Sequence, residues 1–295
     1  MSIRLGTCSW KYKDWQGTIY PSEGKYQFLP EYAKHLNTVE VDQWFWSLFG
    51  VDKVKLPDAN TVNQYLLSVP ESFKFTIKVP NSITLSHFYT HGKAKGAPLE
   101  PNPFFLSVEL FQQFLKTIAP LKNNIGALMF QFEYLNRQKM SSQGEFLNRF
   151  EQFVQQLPDN IPYAIETRNP NYLNEHYFRF LNRNRLSHVF VQGYYMPPIT
   201  EVFQKYRDFI REFTIIRLMG DDRPGIELRA GNKWDKIVDK RDNELPGIVE
   251  MVRELESRGV MVFMNVNNHY EGSAPLTIKK IMEMLKKNEA YSMPT

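Results

Sequence analysis

Eight strand-like runs separated by helix-period segments predict an α/β protein, a single (β/α)8 TIM barrel occupying residues 1–295. Three observations carry that expectation. The runs alternate with helical stripes from end to end, which implies parallel strands joined by right-handed crossovers. Their number, eight in 295 residues, is that of a barrel. Segments entering the strands are short, as at 34–36, 69–72, 157–161 and 258–259, whereas those leaving are long, as at 43–58, 80–103, 193–200 and 220–235. In a barrel the long connections gather at the C-terminal face, where barrel chemistry sits. A doubly wound open sheet is the alternative.

The strands are expected at 3–7, 38–42, 73–79, 125–132, 163–167, 188–192, 213–219 and 260–266. In the third, Phe73, Phe75, Ile77 and Val79 share one parity and Lys74, Thr76 and Lys78 the other. The apolar parity suits the layer between strands and helices. The helices are read from apolar residues three and four apart. Phe146, Phe150, Phe153, Val154 and Leu157 form one stripe, and Leu245, Ile248, Val249, Val252 and Leu255 a second. Ile278, Ile281, Met282 and Leu285 form a third. No linker or low-complexity tract divides the chain.

Composition narrows the classes of function. The chain is 42% hydrophobic and 23% charged, an ordinary globular balance. A single cysteine excludes a disulfide framework and a cysteine zinc site, and fits a reducing, cytoplasmic setting. No apolar run approaches the roughly 20 residues that span a bilayer, so no membrane partner is expected. The opening residues MSIRLGTCSW contain no signal-peptide apolar stretch. Lys and Arg number 36 against 32 acids, so charge alone does not demand a nucleic-acid partner. The unusual quantity is the aromatic content, 14%.

A barrel strand is buried on both faces, so charges within one are informative. Parity points Lys78 inward near the C-terminal mouth, together with Glu40 and Asp42 on the second strand. Glu166 and Arg168 on the fifth and Arg217 late in the seventh follow, and Asn265 and Asn267 share a parity on the eighth. Three acids and three bases thus converge from four strands. They form either a structural ion network that plugs the mouth, or an active site. In the second case Glu40 or Glu166 is a general acid or base. Lys78, Arg168 and Arg217 then bind an anionic group.

At this point the motifs resemble the YecE-like family, a bacterial domain of unknown function, over nearly the whole chain. The residues that carry the resemblance begin with Gly6-Thr7-Cys8-Ser9-Trp10, Trp15 and Tyr20-Pro21. They continue with Asn37-Thr38-Val39-Glu40-Val41-Asp42 and Phe45, then Phe73-Lys74-Phe75 with Lys78, Pro80, Ile83 and His87. Glu166-Thr167-Arg168-Asn169-Pro170 and Arg217-Leu218-Met219-Gly220 match the fifth and seventh strands. The ending Asn267-Asn268-His269-Tyr270-Glu271-Gly272-Ser273-Ala274-Pro275 is the most specific piece. The resemblance implies a TIM barrel. The likeness of that family's shape to endonuclease IV-like and sugar isomerase-like barrels points towards hydrolysis or nucleic acids, and no assigned activity carries over. The family often has an aspartate near the end of the sixth strand, where this chain has Val191-Gln192-Gly193.

Other side chains complete the expected site. His87, in the long third loop with His91, Lys93 and Lys95, and His269, in the eighth, are candidate acids or bases. Neither stands in a metal-ligand spacing, and three neighbouring bases repel a cation, so no metal and no cofactor is expected. Cys8 reads as a buried, inert thiol. Trp10, Tyr12, Trp15, Trp44, Phe45 and Trp46 follow the first two strands, either as a stacking platform, with Trp10 binding substrate, or as packing on the barrel rim. Asn267, Asn268, Tyr270 and Gly272 join Arg168 and Arg217 in the substrate-binding set. An anion subsite is expected from Arg217, Asn268 and the amides around residues 272–274, where Ser273 and Pro275 mark a helix start.

The reading is an enzyme of hydrolase type, acting on a small anionic ligand, such as a phosphoester, at the C-terminal mouth. The alternative is a non-enzymatic nucleic-acid or nucleotide-binding module. Glu166 and Arg168 are expected to face the barrel interior, and residues 80–103 to cover its mouth. The oligomeric state is not read from the sequence.

Overall fold

The computed structural model describes residues 2–51, 53–89 and 98–289, so His91, Lys93 and Lys95 lie outside the described residues. The barrel strands are β1 (Ile3–Thr7), β2 (Thr38–Val41), β3 (Lys74–Lys78), β4 (Ile125–Gln131), β5 (Tyr163–Glu166), β6 (Leu186–Gly193), β7 (Phe213–Gly220) and β8 (Met261–Val266). All pairings between them are parallel, in the order β1-β8-β7-β6-β5-β4-β3-β2, and they form a nearly closed barrel. The expected strands are present, most with ends within a residue, and β6 starts two residues early. A short hairpin, Leu48–Gly50 with Lys53–Val54, stands within the connection that was expected to be a plain loop.

The main helices alternate with the strands: α1 (Phe28–Tyr32), α2 (Ala59–Leu67), α3 (Val108–Ile118), α4 (Gln143–Val154), α5 (Glu175–Arg183), α6 (Ile199–Tyr206), α7 (Leu245–Ser257) and α8 (Ala274–Glu289). Four of them begin where a polar side chain accepts a first-turn amide. Asp58 caps Thr61, Ser107 caps Leu110, Ser142 caps Glu145 and Asn174 caps Tyr177. Among the described residues no helix is long and apolar enough to cross a membrane.

Two apolar layers follow from strand parity. The larger lies between strands and helices. There Phe111, Phe130, Phe132, Phe146, Phe150 and Phe153 meet ring to ring, which absorbs much of the high aromatic content. The smaller fills the barrel interior with Cys8, Ala127, Met129, Ala164, Val189, Val191, Phe213, Ile215, Met219 and Phe263. Within the barrel Asn265 of β8 reaches across to β3, where its amide donates to Thr76 Oγ1 at 2.8 Å.

Between β1 and β2 the barrel closes in a different way. The sheet order has no ladder there, and the Tyr32 hydroxyl from α1 stands in its place. That hydroxyl accepts the Thr7 N–H at 2.9 Å and donates to the Thr38 carbonyl at 3.0 Å. Gly6 lets the two backbones meet, because a Cβ at that position would lie 2.1 Å from the Thr38 carbonyl oxygen.

Removing the bridging hydroxyl leaves a buried N–H and a buried C=O without partners. Tyr32→Phe is therefore expected to lower stability by about 1–3 kcal/mol in urea unfolding. Gly6→Ala, which forces backbone against backbone, is expected to lose more than Tyr32→Phe in the same measurement. Equal losses would show that the seam can relax.

Candidate active site at the barrel mouth

Three strands deliver charged side chains into the lumen just below its C-terminal opening. Arg217 of β7 is only 1% exposed, and Glu40 of β2 and Glu166 of β5 are fully buried. Arg217 grips Glu40 bidentately, with Nε to Oε2 at 2.7 Å and Nη2 to Oε1 at 2.8 Å. Its Nη1 donates to Glu166 Oε2 at 2.5 Å and to Gln131 Oε1 at 3.3 Å. The outer pair flanks this centre: Lys78 Nζ lies 3.4 Å from Glu40 Oε1, and Arg168 Nη2 lies 2.6 Å from Glu166 Oε1. Both outer cations also face rings. Lys78 lies over Phe45 at 5.2 Å and Arg168 over Tyr194 at 4.1 Å. Glu166 and Arg168 thus both sit at the C-terminal end of the lumen.

The electrostatics separate the three carboxyls. Burial alone would raise the Glu166 carboxyl, but Arg168, Arg217 and Lys78 outweigh it and hold it at about 2. Burial opposes the charge on Arg217 as well, and Glu166 and Glu40 overcome it, so the guanidinium is held more firmly protonated than usual. Asp42 stands two residues beyond Glu40, half-buried at the rim. Desolvation raises its carboxyl to about 6, with Lys78 pulling it down and Glu40 pushing it up. Its only hydrogen bond is to its own backbone amide, and among the described residues no other side chain bonds it, unlike Glu40. With Asp42 ionised, three acids balance three bases; with it protonated, the mouth carries a net positive charge.

Cys8 lies at the floor of the mouth. Burial first, then Glu40, pushes its thiol far above the ordinary range, so it stays protonated as an inert thiol. Above the network Tyr194 covers the Arg168 guanidinium. It does so from a left-handed backbone, with φ +55°, followed by Tyr195 at φ +62°. No sequence signal marked Tyr194, because its position depends on that turn. Gln192, near the end of β6, donates to Glu244 Oε2 at 2.9 Å and accepts the first amide of α6 at 3.1 Å. An aspartate would set two carboxylates against each other here.

The remaining expected residues are dispersed. His87 pairs with Ser86 Oγ at 3.0 Å, near Glu133, Lys139 and Arg149 beyond β4, and does not join Glu40. The described part of the third loop does lie on the C-terminal face, because the Asn81 amide donates to the Phe45 carbonyl at 2.7 Å. His269 pairs its Nε2 with Glu227 Oε1 at 3.1 Å and packs edge-on to Trp234, on the β7–β8 rim. Trp10 is fully buried, edge-on to Tyr65, so it packs the core and offers no binding surface. Trp15, Trp44 and Phe45 are buried too, whereas Trp46 is 60% exposed.

The 267–275 segment is mostly consumed in anchoring the 221–245 excursion. Asn267 accepts the His269 N–H at 2.9 Å. Tyr270 donates to Glu244 at 3.1 Å. Glu271 takes the Arg241 N–H, Lys280 and Thr277. Gly272, with φ +109°, lies under residues 236–238, where a Cβ would be 2.7 Å from the Lys236 carbonyl oxygen. Its close approach serves chain packing. The Ala274 N–H is taken by Asn268 Oδ1 at 2.9 Å and the Gly272 N–H by the Asn268 carbonyl at 2.7 Å. With Arg217 occupied by two carboxylates, the three expected parts of the anion subsite do not meet as free donors.

Residues 4–295 match the model of a family described as protein of unknown function DUF72. A DUF72 family protein from Enterococcus faecalis superposes with a TM-score of 0.67 at 21% identity, over 96% of this chain and 95% of that one. A DUF72 family protein from Thermotoga maritima gives 0.64 at 22% identity, over 95% of this chain and 99% of that one. At such identities the likeness shows the shared fold. No curated protein matches the chain.

Glu166→Gln strands Arg217 and Arg168 with half their countercharge, which is expected to cost about 3–5 kcal/mol at pH 7. The wild-type carboxyl is depressed, so its contribution is complete above the unfolded value of 4.5 and is lost as pH falls towards 2. The difference between variant and wild type should therefore shrink across that window in chemical unfolding. A difference that stays constant with pH would refute the pairing as its source.

Proposed function

The chain belongs to the DUF72 family of proteins of unknown function, and from that premise we propose an enzyme that uses Asp42 as general base at the barrel mouth, on an anionic substrate. One observation carries the reading. Of the three carboxyls at the mouth, Asp42 is the one that no other side chain hydrogen-bonds among the described residues, and burial brings it to about 6. A base poised near neutral pH can take a proton from water and return it. Glu40 and Glu166, expected in that role, are engaged by Arg217 and serve instead as its counterions. Lys78 and Arg168, each tied to one carboxylate on the outer side of the network, supply positive charge to an anionic group.

Hydrolysis is the reaction type this arrangement serves, with a phosphoester as the substrate of choice. Water gives a proton to Asp42 as its oxygen bonds to phosphorus, and the ester P–O bond breaks. The departing alkoxide takes a proton from solvent and Asp42 releases its own, while the cations stabilise the charge that develops on the phosphoryl oxygens. His87 is engaged by Ser86 and His269 by Glu227, and neither bonds Asp42. A cytoplasmic setting belongs to the same proposal, on the strength of the single, unpaired Cys8.

A second reading has its own support. Trp46, Phe49, Tyr89, Tyr134 and Tyr195 are all exposed on connections that leave the C-terminal strand ends, and Trp46 and Tyr89 lie 6.1 Å apart. Such rings suit stacking with nucleotide bases. Salt-dependent binding of oligonucleotides without turnover would favour this module over the hydrolase.

Against a panel of phosphoesters, kcat/KM is expected to rise with pH through an apparent pKa near 6 and then level off. Asp42→Asn should lower it by about 10²–10⁴-fold. The raised carboxyl also predicts a stability effect of opposite sign. A folded group that ionises at about 6 instead of 3.8 loses stability as pH rises between those values. Asp42→Asn should therefore melt above wild type at pH 8 and draw level with it only as the pH falls below 3.8, by calorimetry. Higher activity loss without that stability crossover would point to misfolding in place of a lost base.

A further inference from the structure

Asn268 holds a donor that the folded chain leaves unused. The residue is 3% exposed. Its Oδ1 is fixed by the Ala274 N–H at 2.9 Å, at the start of α8, which sets the orientation of the whole amide. Nδ2 is thereby aimed the other way, where it is buried without a hydrogen-bond partner. A buried N–H in that state is a standing penalty unless something outside the chain accepts from it.

The neighbours define what that acceptor is. The Tyr12 hydroxyl lies beside the Asn268 amide, which is oriented to donate towards it, and Asp42 and Arg223 both act on that hydroxyl. Tyr12 is itself half-buried, with its ring packed on Trp15 at 4.8 Å. Arg223 spends Nε on Glu227 Oε1 at 2.8 Å, and its guanidinium also faces Tyr12 and Tyr194. An amide N–H, a phenol O–H and a guanidinium are thus neighbours, on the connections that leave β1, β7 and β8. All three donate, and one is a permanent cation.

We infer that Asn268 Nδ2, the Tyr12 hydroxyl and Arg223 form a subsite that holds an oxyanion of the substrate, a phosphoryl or carboxylate oxygen, beside Asp42. The subsite deepens the reading of the mouth as an anionic-substrate site and rests on it. Asn268 is its selective element. Because Oδ1 is locked as a cap, the amide cannot turn to present an acceptor, so a substrate group that donates at this point is rejected. Arg223 adds charge and Tyr12 a third hydrogen bond.

Titration with inorganic phosphate, followed by calorimetry, tests this directly. Asn268→Asp keeps an oxygen for the Ala274 amide and removes the donor, and Tyr12→Phe and Arg223→Gln remove the other two. Each is expected to weaken phosphate binding about tenfold or more, with the melting temperature checked to confirm folding. Retained affinity in Asn268→Asp and Arg223→Gln, or no phosphate binding by the wild type, overturns the subsite. Should Asn268→Asp lose its fold, the Tyr12→Phe and Arg223→Gln pair decides alone. Asp42→Asn separates the two readings. If it binds phosphate while phosphoester turnover is absent even from wild type, the subsite stands and the hydrolase reading falls. If turnover depends on Asp42 while phosphate binding ignores the three variants, the reverse holds.

Discussion

The lumen of this barrel is organised around one buried guanidinium. Arg217 would be intolerable at 1% exposure without counterions, and β2 and β5 each supply a carboxylate that reaches it. The partners come from strands that are not neighbours, so the ion network ties the barrel across its interior, where ladder hydrogen bonds run only around it. It also fixes register. A slip of one residue in β2 or β7 would turn the charge into the helix layer and leave its partners buried alone. Phe213, Ile215 and Phe263 fill the lumen below, and the charges occupy the level where the strands end. That arrangement gives the mouth a floor on which Asp42, Lys78 and Arg168 are the charges nearest the solvent.

Much of this was legible in the sequence because strand parity is a strict rule. The alternation of Lys74, Thr76 and Lys78 with phenylalanines already set Lys78 inward, and the same parity brought Glu40, Glu166 and Arg217 to one place. What parity does not carry is pairing. Glu40 and Arg217 are 177 residues apart, and which carboxylate takes which nitrogen depends on barrel stagger. The sequence therefore left open whether Arg217 and the glutamates form an ion network or an anion receptor with acids and bases, and the fold pairs Arg217 with both glutamates. Asp42 was part of the same charge inventory. Its separate behaviour comes from burial and from its position one step past the strand, which no local pattern encodes.

The rim was less legible than the lumen. Aromatic content signalled stacking or packing without distinguishing them, and the fold divides the residues one by one: Trp10 inside, Trp46 outside. The 267–275 segment read as a helix start with free amides. Three of its side chains, His269, Tyr270 and Glu271, are instead occupied by the long excursion after β7, which folds back onto it through Glu227, Arg241 and Glu244. Contacts of that kind join distant loops, so they emerge only when the barrel brings the ends of β7 and β8 together. Tyr194 belongs to the same class. A non-glycine residue in a left-handed conformation has no reliable sequence mark, yet it sets the ring that roofs Arg168.

The closure at β1 and β2 has a consequence for how the chain opens. Elsewhere a strand leaves the barrel only by breaking a run of backbone bonds, one after another. Here the joint depends on a phenol carried by a helix of five residues, α1. Undocking that helix withdraws the hydroxyl and exposes the Thr7 amide and the Thr38 carbonyl together. In amide exchange, Thr7 should therefore follow the local motion of α1, while the strands around β7 exchange only on global unfolding. The seam runs along the strand that carries Glu40, so the ion network and the weakest joint of the barrel share β2.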